Sequence, residues 1–460
     1  MNSLNPKKVA AAVSYINTWL DLNFRNSHRV GMQVAIQHGD KLVYSKAFGK
    51  AKLDPSEDMT TSHLFRIASH SKPFTATAIM QLAEAHKLHL NQTVSEHLPW
   101  FTSSKDDRVA QVTIRQLLNH TAGLIRDGLD ADFWILEKEF PHKSDLKSYI
   151  RESRLIIDGD TRFKYSNVGY AVLGLLIEAI SGQSYRDYMT QHIITALKLK
   201  STGPDLDSTA QQQLASGYGL ELLGRPRVLH PHVATNDMQA ATGFYSNAED
   251  VCRFFSAHFF GNTTLISDTS KREMQHGYWD TSNNGGQYGL GLTTFPRTGW
   301  TINGHGGGFP GFITNTQFDA KRQLVVSVLT NNGDFGATDT CKKMISIIDI
   351  FQQDTDHLTL PVKDVKRFEG RFFSHWGAVD IVAVGKKLFA VYPLGWSDFS
   401  TAESLEVIDD TTLRITHAEG YGAPNEEIEY TIDNDGHVQN IRIAGVTHLL
   451  FDDAVAKGWI

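Results

Sequence analysis

Ser69 and Lys72 stand three residues apart in the run Phe65-Arg66-Ile67-Ala68-Ser69-His70-Ser71-Lys72-Pro73-Phe74. At that spacing on a helix, a hydroxyl and an amine lie on one face. A serine alkoxide forms near neutral pH only when a neighbouring base takes the proton. A lysine is that base only when desolvation or a nearby cation lowers its pKa. Ser69 falls where the apolar run turns into a helix, so free backbone N–H groups favour negative charge developing there. The motif is short, and Ser144-Asp145-Leu146-Lys147 also fits it. That second copy reads as a solvated surface segment because charged residues surround it. Taken alone, Ser69 reads equally well as a helix N-cap.

Two further segments carry groups that complete a site. Tyr165-Ser166-Asn167 offers a phenol that shares a proton with a lysine, so that the pair acts as base and then as acid. Its Asn167 amide suits holding a substrate amide or orienting Lys72. The pattern Tyr-x-Asn recurs at Tyr15-Ile16-Asn17 and Tyr245-Ser246-Asn247. Tyr165 is preferred because it enters from the segment between Ser69 and the late strands. Asn303-Gly304-His305-Gly306-Gly307-Gly308-Phe309-Pro310-Gly311 has four glycines between 304 and 308. That composition is costly in a strand and signals close approach of a backbone or ligand. Its edge makes Gly307 and Gly308 substrate-binding candidates, with the Gly308 and Ser69 amides as an oxyanion-hole pair. His305 is expected to hydrogen-bond or polarise Tyr165. His375-Trp376-Gly377 repeats His-x-Gly without the glycine run.

The elements that must position these groups are legible in outline. Phe74, Ala78, Leu82 and Ala85 recur at helical spacing after Lys72, predicting one buried face. Residues 6–25 read as an amphipathic helix with Val9, Val13, Ile16 and Leu20 on one face. Met32–Ile36 and Leu42–Tyr44 flank His38-Gly39-Asp40, a hairpin signal, and form a sheet that the first helix would cover. Residues from about 88 to 240 change to short helices and loops, among them Thr113–Leu124, a helix ended by a glycine. Strands return at Tyr288–Phe295, Trp300–Asn303, Gly311–Phe318 and Leu324–Thr330, followed by a helix at about 337–353. Strands at both ends with helices between predict an α+β domain with an antiparallel sheet over 1–360, its helical insert at about 88–240. From 361 to 460, short strands such as Val379–Val384, Lys387–Val391, Thr412–Ile415, Ile428–Ile432 and Ile441–Ile443 alternate with Gly and Asp turns, as in a small all-β barrel.

Composition narrows the function classes. Of 460 residues, 41% are hydrophobic and 21% charged, ordinary for a globular protein with two or three cores. The formal net charge of −7 gives nucleic acid or an anionic membrane no reason to bind. Residues 361–460 carry 9 Lys+Arg against 16 Asp+Glu, the whole imbalance, which supports a boundary near 360. Cys252 and Cys341 sit in amphipathic helical patterns and are expected to be buried free thiols. The N-terminal segment lacks an apolar signal core, so the expected location is cytoplasmic, or periplasmic or secreted if a signal has been removed. No Gly-x-Ser-x-Gly, His-Glu-x-x-His, paired Cys-x-x-Cys or phosphate-binding glycine loop occurs, so no metal or other cofactor is expected.

The order Ser-x-x-Lys, Tyr-x-Asn, His-x-Gly resembles the serine β-lactamase and penicillin-binding-protein superfamily. The likeness is strongest to its class C β-lactamase-like branch of esterases and D-stereospecific aminopeptidases. It covers roughly residues 10–350 and extends to the connecting segments Phe65–Lys72, Thr113–Leu124, Phe163–Gly174 and Gly304–Phe312. It implies a site in a cleft between a sheet region and a helical region. Ser69 would be the nucleophile, Lys72 and Tyr165 the acid/base pair, Asn167 a positioning residue and His305–Gly308 the edge strand. Some members with D-aminopeptidase activity also carry a C-terminal lipocalin-like barrel, which fits residues 361–460. His305-Gly306-Gly307 departs from the Lys-Thr-Gly usual in β-lactamases and transpeptidases, removing donors for a substrate carboxylate. The departure argues for an amide, short peptide (D-amino-acid-containing peptides included) or ester over a penicillin. His86 stands where relatives often have glycine, with a neutral effect expected. A carboxylesterase, a weak β-lactamase and a non-catalytic peptidoglycan- or peptide-binding receptor are the alternatives. Expected partners are small molecules or short peptides and, as an open question, a second copy of the chain.

Overall fold

The computed structural model describes residues 3–281, 285–297, 299–334, 336–355, 357–395, 401–419 and 422–460. By internal contacts the chain divides into two units. His28–Cys341 makes up nearly all of the first, and Leu4–Ser27 with Lys342–Ile460 forms the second.

The strands of the first unit are, in chain order, β1 (Gly31–His38), β2 (Lys41–Lys52), β3 (Glu57–Asp58), β4 (Phe65–Arg66), β5 (Gly217–Tyr218), β6 (Leu229–His230), β7 (Tyr245–Ser246), β8 (Trp279–Asp280), β9 (Gln287–Tyr288), β10 (Thr293–Arg297), β11 (Trp300–Phe309), β12 (Phe312–Asp319) and β13 (Leu324–Thr330). Nine of them form one sheet in the order β3-β2-β1-β13-β12-β11-β10-β9-β8. Neighbours run antiparallel, with Val34 opposite Val328 where β1 meets β13. β13 is buried along its whole length and β1 along all but its last residue, which explains why both read as continuous apolar runs rather than alternating ones. β4 pairs with β7 and β5 with β6 as two short ribbons.

The segment expected to be one strand, Tyr288–Phe295, is two. Gly291 adopts φ +77° and the Gly289 N–H bonds to the Leu292 carbonyl, so the chain turns back and Thr293 pairs with Tyr288. Only glycine takes that left-handed conformation at little cost. In the opposite sense, the strand expected to end at Asn303 runs on through the glycines to Phe309.

Between the two halves of the sheet lie short helices, from Val94–His97 to Asp268–Gln275. The helix after Thr113 covers only Ile114–Leu118. It ends at Asn119 and at His120 in the left-handed region (φ +60°), three residues before the expected glycine. Cys252 and Cys341 are buried free thiols whose pKa burial raises.

In the second unit α1 (Pro6–Arg25) starts at an Asn5 cap with proline in its first turn and buries Val9, Ala12, Ile16, Trp19 and Leu20. The sequence assigned this helix to the sheet. Within its own unit, Tyr15 donates to Asp380 at 2.7 Å and Trp19 Nε1 to the Pro393 carbonyl at 3.3 Å. The barrel strands are β14 (Gly370–Ser374), β15 (Gly377–Val384), β16 (Lys387–Val391), β17 (Glu403–Val407), β18 (Thr412–His417), β19 (Glu427–Ile432), β20 (Val438–Ile443) and β21 (Val446–Leu449). Each pairs with the next, and β21 closes onto β14 through Phe373 and Leu449. The result is a closed eight-stranded up-and-down barrel. Its interior is filled by Phe372, Ile381, Leu388, Leu413, Ile428, Ile441 and their neighbours. Among the described residues, no helix is long and apolar enough to cross a membrane.

Candidate active site

α2 (Ser71–Glu84) presents the site. Its first ten residues are buried, so the expected single apolar face is nearly a full circle. Thr75 and Thr77 tolerate this because their hydroxyls bond the Ser71 and Pro73 carbonyls one turn back. A 3-10 turn, Ala68–His70, leads in, and Ala68 takes φ +47°. A left-handed alanine costs roughly 1–2 kcal/mol. This strain sits directly before Ser69, where it aims the next residue.

An amine three residues on and a phenol ninety-six residues on meet at the Ser69 hydroxyl. Lys72 Nζ lies 3.2 Å from Ser69 Oγ and the Tyr165 hydroxyl 2.8 Å from it. Lys72 also donates to Asn167 Oδ1 at 2.7 Å and to the Ala241 carbonyl at 2.8 Å. Its side chain is fully buried, and burial holds its pKa well below the ordinary lysine value; Asp127 opposes that shift and Arg126 adds to it. A neutral amine has two N–H groups, which match the two carbonyl acceptors and leave its lone pair for Ser69. Burial pushes the Tyr165 phenol the other way, upward, so it keeps its proton.

Tyr165 reaches the site from just before the helix Asn167–Ser181, which Ser166 caps by accepting the Gly169 N–H. Asn167 is the first residue of that helix. Its Nδ2 donates to Asp127 Oδ1 at 2.6 Å, and Trp134 Nε1 donates to the same oxygen at 2.9 Å. Asp127 thereby orients the amide that orients Lys72, and nothing in its sequence context marks it. Ala241 was equally invisible because it acts through its carbonyl.

β10 pairs with β11 only as far as Gly304, which leaves 305–309 as an edge beside the 3-10 turn. The approach is close: a Cβ on Gly307 would lie 2.2 Å from the Ile67 carbonyl oxygen. At Gly308 the same position has space, with Ile313 Cδ1 at 3.7 Å. The expected bond from His305 to Tyr165 is not formed. His305 Nδ1 donates to the Gly306 carbonyl at 2.6 Å and Nε2 accepts from Tyr288 at 3.0 Å. Both ring nitrogens are taken, and burial lowers its pKa to about 3. Of the sequence candidates, the structure brings Ser69, Lys72, Tyr165 and Asn167 into one hydrogen-bonded set, with Gly307 and Gly308 on the adjoining edge and His305 turned into the sheet. The rival motifs lie elsewhere: Ser144 is exposed on the helix Lys143–Glu152, Tyr15 belongs to α1 and Tyr245 to β7.

The profile of the family described as Beta-lactamase matches residues 16–341. This chain belongs to the beta-lactamase family. Protein flp of Staphylococcus aureus (strain MW2) is 30% identical over 206 residues, 45% of this chain and 41% of that protein. The chain therefore aligns with about two fifths of the length of this curated relative. Among solved structures, the octameric penicillin-binding protein homologue from Pyrococcus abyssi superposes with a TM-score of 0.66 at 21% identity, covering 95% of this chain and 99% of that one. The D-amino acid amidase from Ochrobactrum anthropi SV3, complexed with D-phenylalanine, gives 0.64 at 21% identity over 74% of this chain and 99% of its own. At these identities the two structures establish the fold. The beta-lactamase family match ends at Cys341, where the first unit also ends.

Proposed function

We propose that the chain is a serine hydrolase working through an acyl-enzyme on amide, short-peptide or ester substrates, those containing a D-amino acid included. The observation that carries this reading is the convergence of a desolvated lysine and a tyrosine on one serine hydroxyl. Lys72 takes the Ser69 proton as Oγ bonds to the substrate carbonyl carbon. The oxyanion is received by the Ser69 and Gly308 amides, with Gly307 keeping the strand edge close. As the carbon–nitrogen or carbon–oxygen bond breaks, Tyr165 gives its proton to the leaving group and recovers one from the Lys72 ammonium. Water then enters by the same proton path and releases the acid. Asn167, held by Asp127, keeps Lys72 aimed. His305 has no proton role in this scheme and anchors its strand to Tyr288.

His305-Gly306-Gly307 supplies neither the charge nor the hydroxyl of Lys-Thr-Gly, which supports amide or ester substrates over penicillins. The amidase activity of one fold neighbour supports the same preference, and the octameric state of another makes self-association the partner to test. A fluorophosphonate should label Ser69 and Ser69→Ala should abolish labelling; labelling that persists at another serine would refute the assignment.

A further inference from the structure

We propose that His120 is the positioning residue for Tyr165: it clamps the backbone on both sides of the phenol and forms the wall against which that ring packs. The proposal rests on the hydrolase reading above.

Two bonds bracket Tyr165. The His120 carbonyl accepts the Lys164 N–H at 2.7 Å, and His120 Nδ1 accepts the Ser166 N–H at 3.1 Å. Between them the imidazole lies 4.3 Å from the Tyr165 ring, centroid to centroid, at 38°. Phe163, Tyr170 and Tyr288 pack around the same imidazole at 5.6, 5.0 and 4.8 Å. The phenol is therefore held by its flanking amides and by one of its faces, and its hydroxyl emerges 2.8 Å from Ser69 Oγ.

Stability alone does not account for this residue. His120 occupies a left-handed conformation (φ +60°) that glycine or asparagine fits better. Because Nδ1 accepts, the neutral ring carries its proton on Nε2, and Nε2 is buried with no hydrogen-bond partner among the described residues. An unpaired buried donor is costly. The ring must also stay neutral. Burial above all, with the nearby Lys164 charge adding to it, keeps its pKa well below the ordinary histidine value. These costs are borne at a position whose carbonyl, Nδ1 and ring all meet the Lys164–Ser166 segment.

A double-mutant cycle on the full chain tests the proposal, with p-nitrophenyl butyrate as probe. Through a displaced Tyr165, His120→Ala should lower kcat about 30-fold or more while KM stays within about threefold. In a Tyr165→Phe background the same substitution should change kcat by less than about threefold. His120→Asn tolerates the left-handed backbone and can still accept the Ser166 N–H, so it should lose only about fivefold, again only when Tyr165 is present. That variant decides the matter if His120→Ala does not fold. Equal losses in both backgrounds, or wild-type kcat in the single variants, would overturn the proposal. Fluorophosphonate labelling of the wild type is run alongside. No label on Ser69 removes the hydrolase reading and this inference together, whereas labelling with additive losses removes this inference alone.

Discussion

The two units differ in which polar groups they bury. In the barrel unit, buried carboxylates are paired: Asp380 with Arg371 at 2.6 Å and with Tyr15, Glu403 with Tyr392 at 3.3 Å. The barrel core beneath them is hydrocarbon and aromatic. The sheet unit buries Arg66, His70 and Lys72 beside Ser69, His120 against Tyr165, and His305 on the edge strand. Arg66 Nη1 pairs with Asp205 at 3.3 Å, while Arg66 Nε and Nη2 and His120 Nε2 have no hydrogen-bond partner among the described residues. Buried cations and neutral histidines lower stability unless fully compensated. Their concentration around Ser69 sets this unit apart from the barrel, whose core is apolar packing.

The contrast is open to direct attack. Lys72→Met, similar in volume but unable to accept a proton, should lower turnover by at least about 10³-fold, measured as kcat on a nitrophenyl ester. An unchanged rate would show that the buried lysine is structural. Ile441→Ala should lower barrel stability by about 2–5 kcal/mol in a denaturant titration and leave the rate of Ser69 labelling unchanged. A parallel loss of labelling would break the separation.

Acid should act mainly on the sheet unit. Burial lowers His70 and His258 to about 4 and His305 to about 3, against an ordinary 6.5. These rings stay neutral when folded, while the unfolded chain takes up their protons below pH 6.5. Their contribution is therefore complete above 6.5 and is lost as pH falls from there toward about 3 to 4. Calorimetry at pH 7 and pH 5 should show the sheet unit's transition falling further than the barrel's; equal shifts would contradict the contrast. The smallest effect belongs to an exposed site. His86 takes φ +55°, so His86→Gly should change stability by no more than about 1 kcal/mol, read as a melting-temperature shift of a few degrees.

Much of the site could be read from the chain alone. Ser69 with Lys72, Tyr165 with Asn167 and the glycines around His305 are short patterns whose chemistry shows in their side chains. The hairpin of β1 and β2 announced itself by two apolar runs about a Gly39 turn, and most barrel strands by short apolar runs between Gly and Asp turns. Elements governed by backbone geometry did not. The break at Gly289–Leu292, the left-handed end at His120 and the short strands β14, β17 and β21 depend on dihedral angles and neighbours that residue type does not encode. Asp127 and Ala241 escaped because one acts through another side chain and the other through its carbonyl.

The sequence by itself determined which reactive groups exist, the order in which they come and the covalent spacing that sets Ser69 and Lys72 near one helix start. It also determined the apolar periodicity that builds a sheet and a barrel. Only the tertiary structure decided that burial lowers the pKa of Lys72, that Tyr165 and not Tyr15 or Tyr245 reaches Ser69, and that His305 bonds to Tyr288. Desolvation and hydrogen-bond direction are properties of what surrounds a group in space, and those surroundings come from residues far apart along the chain.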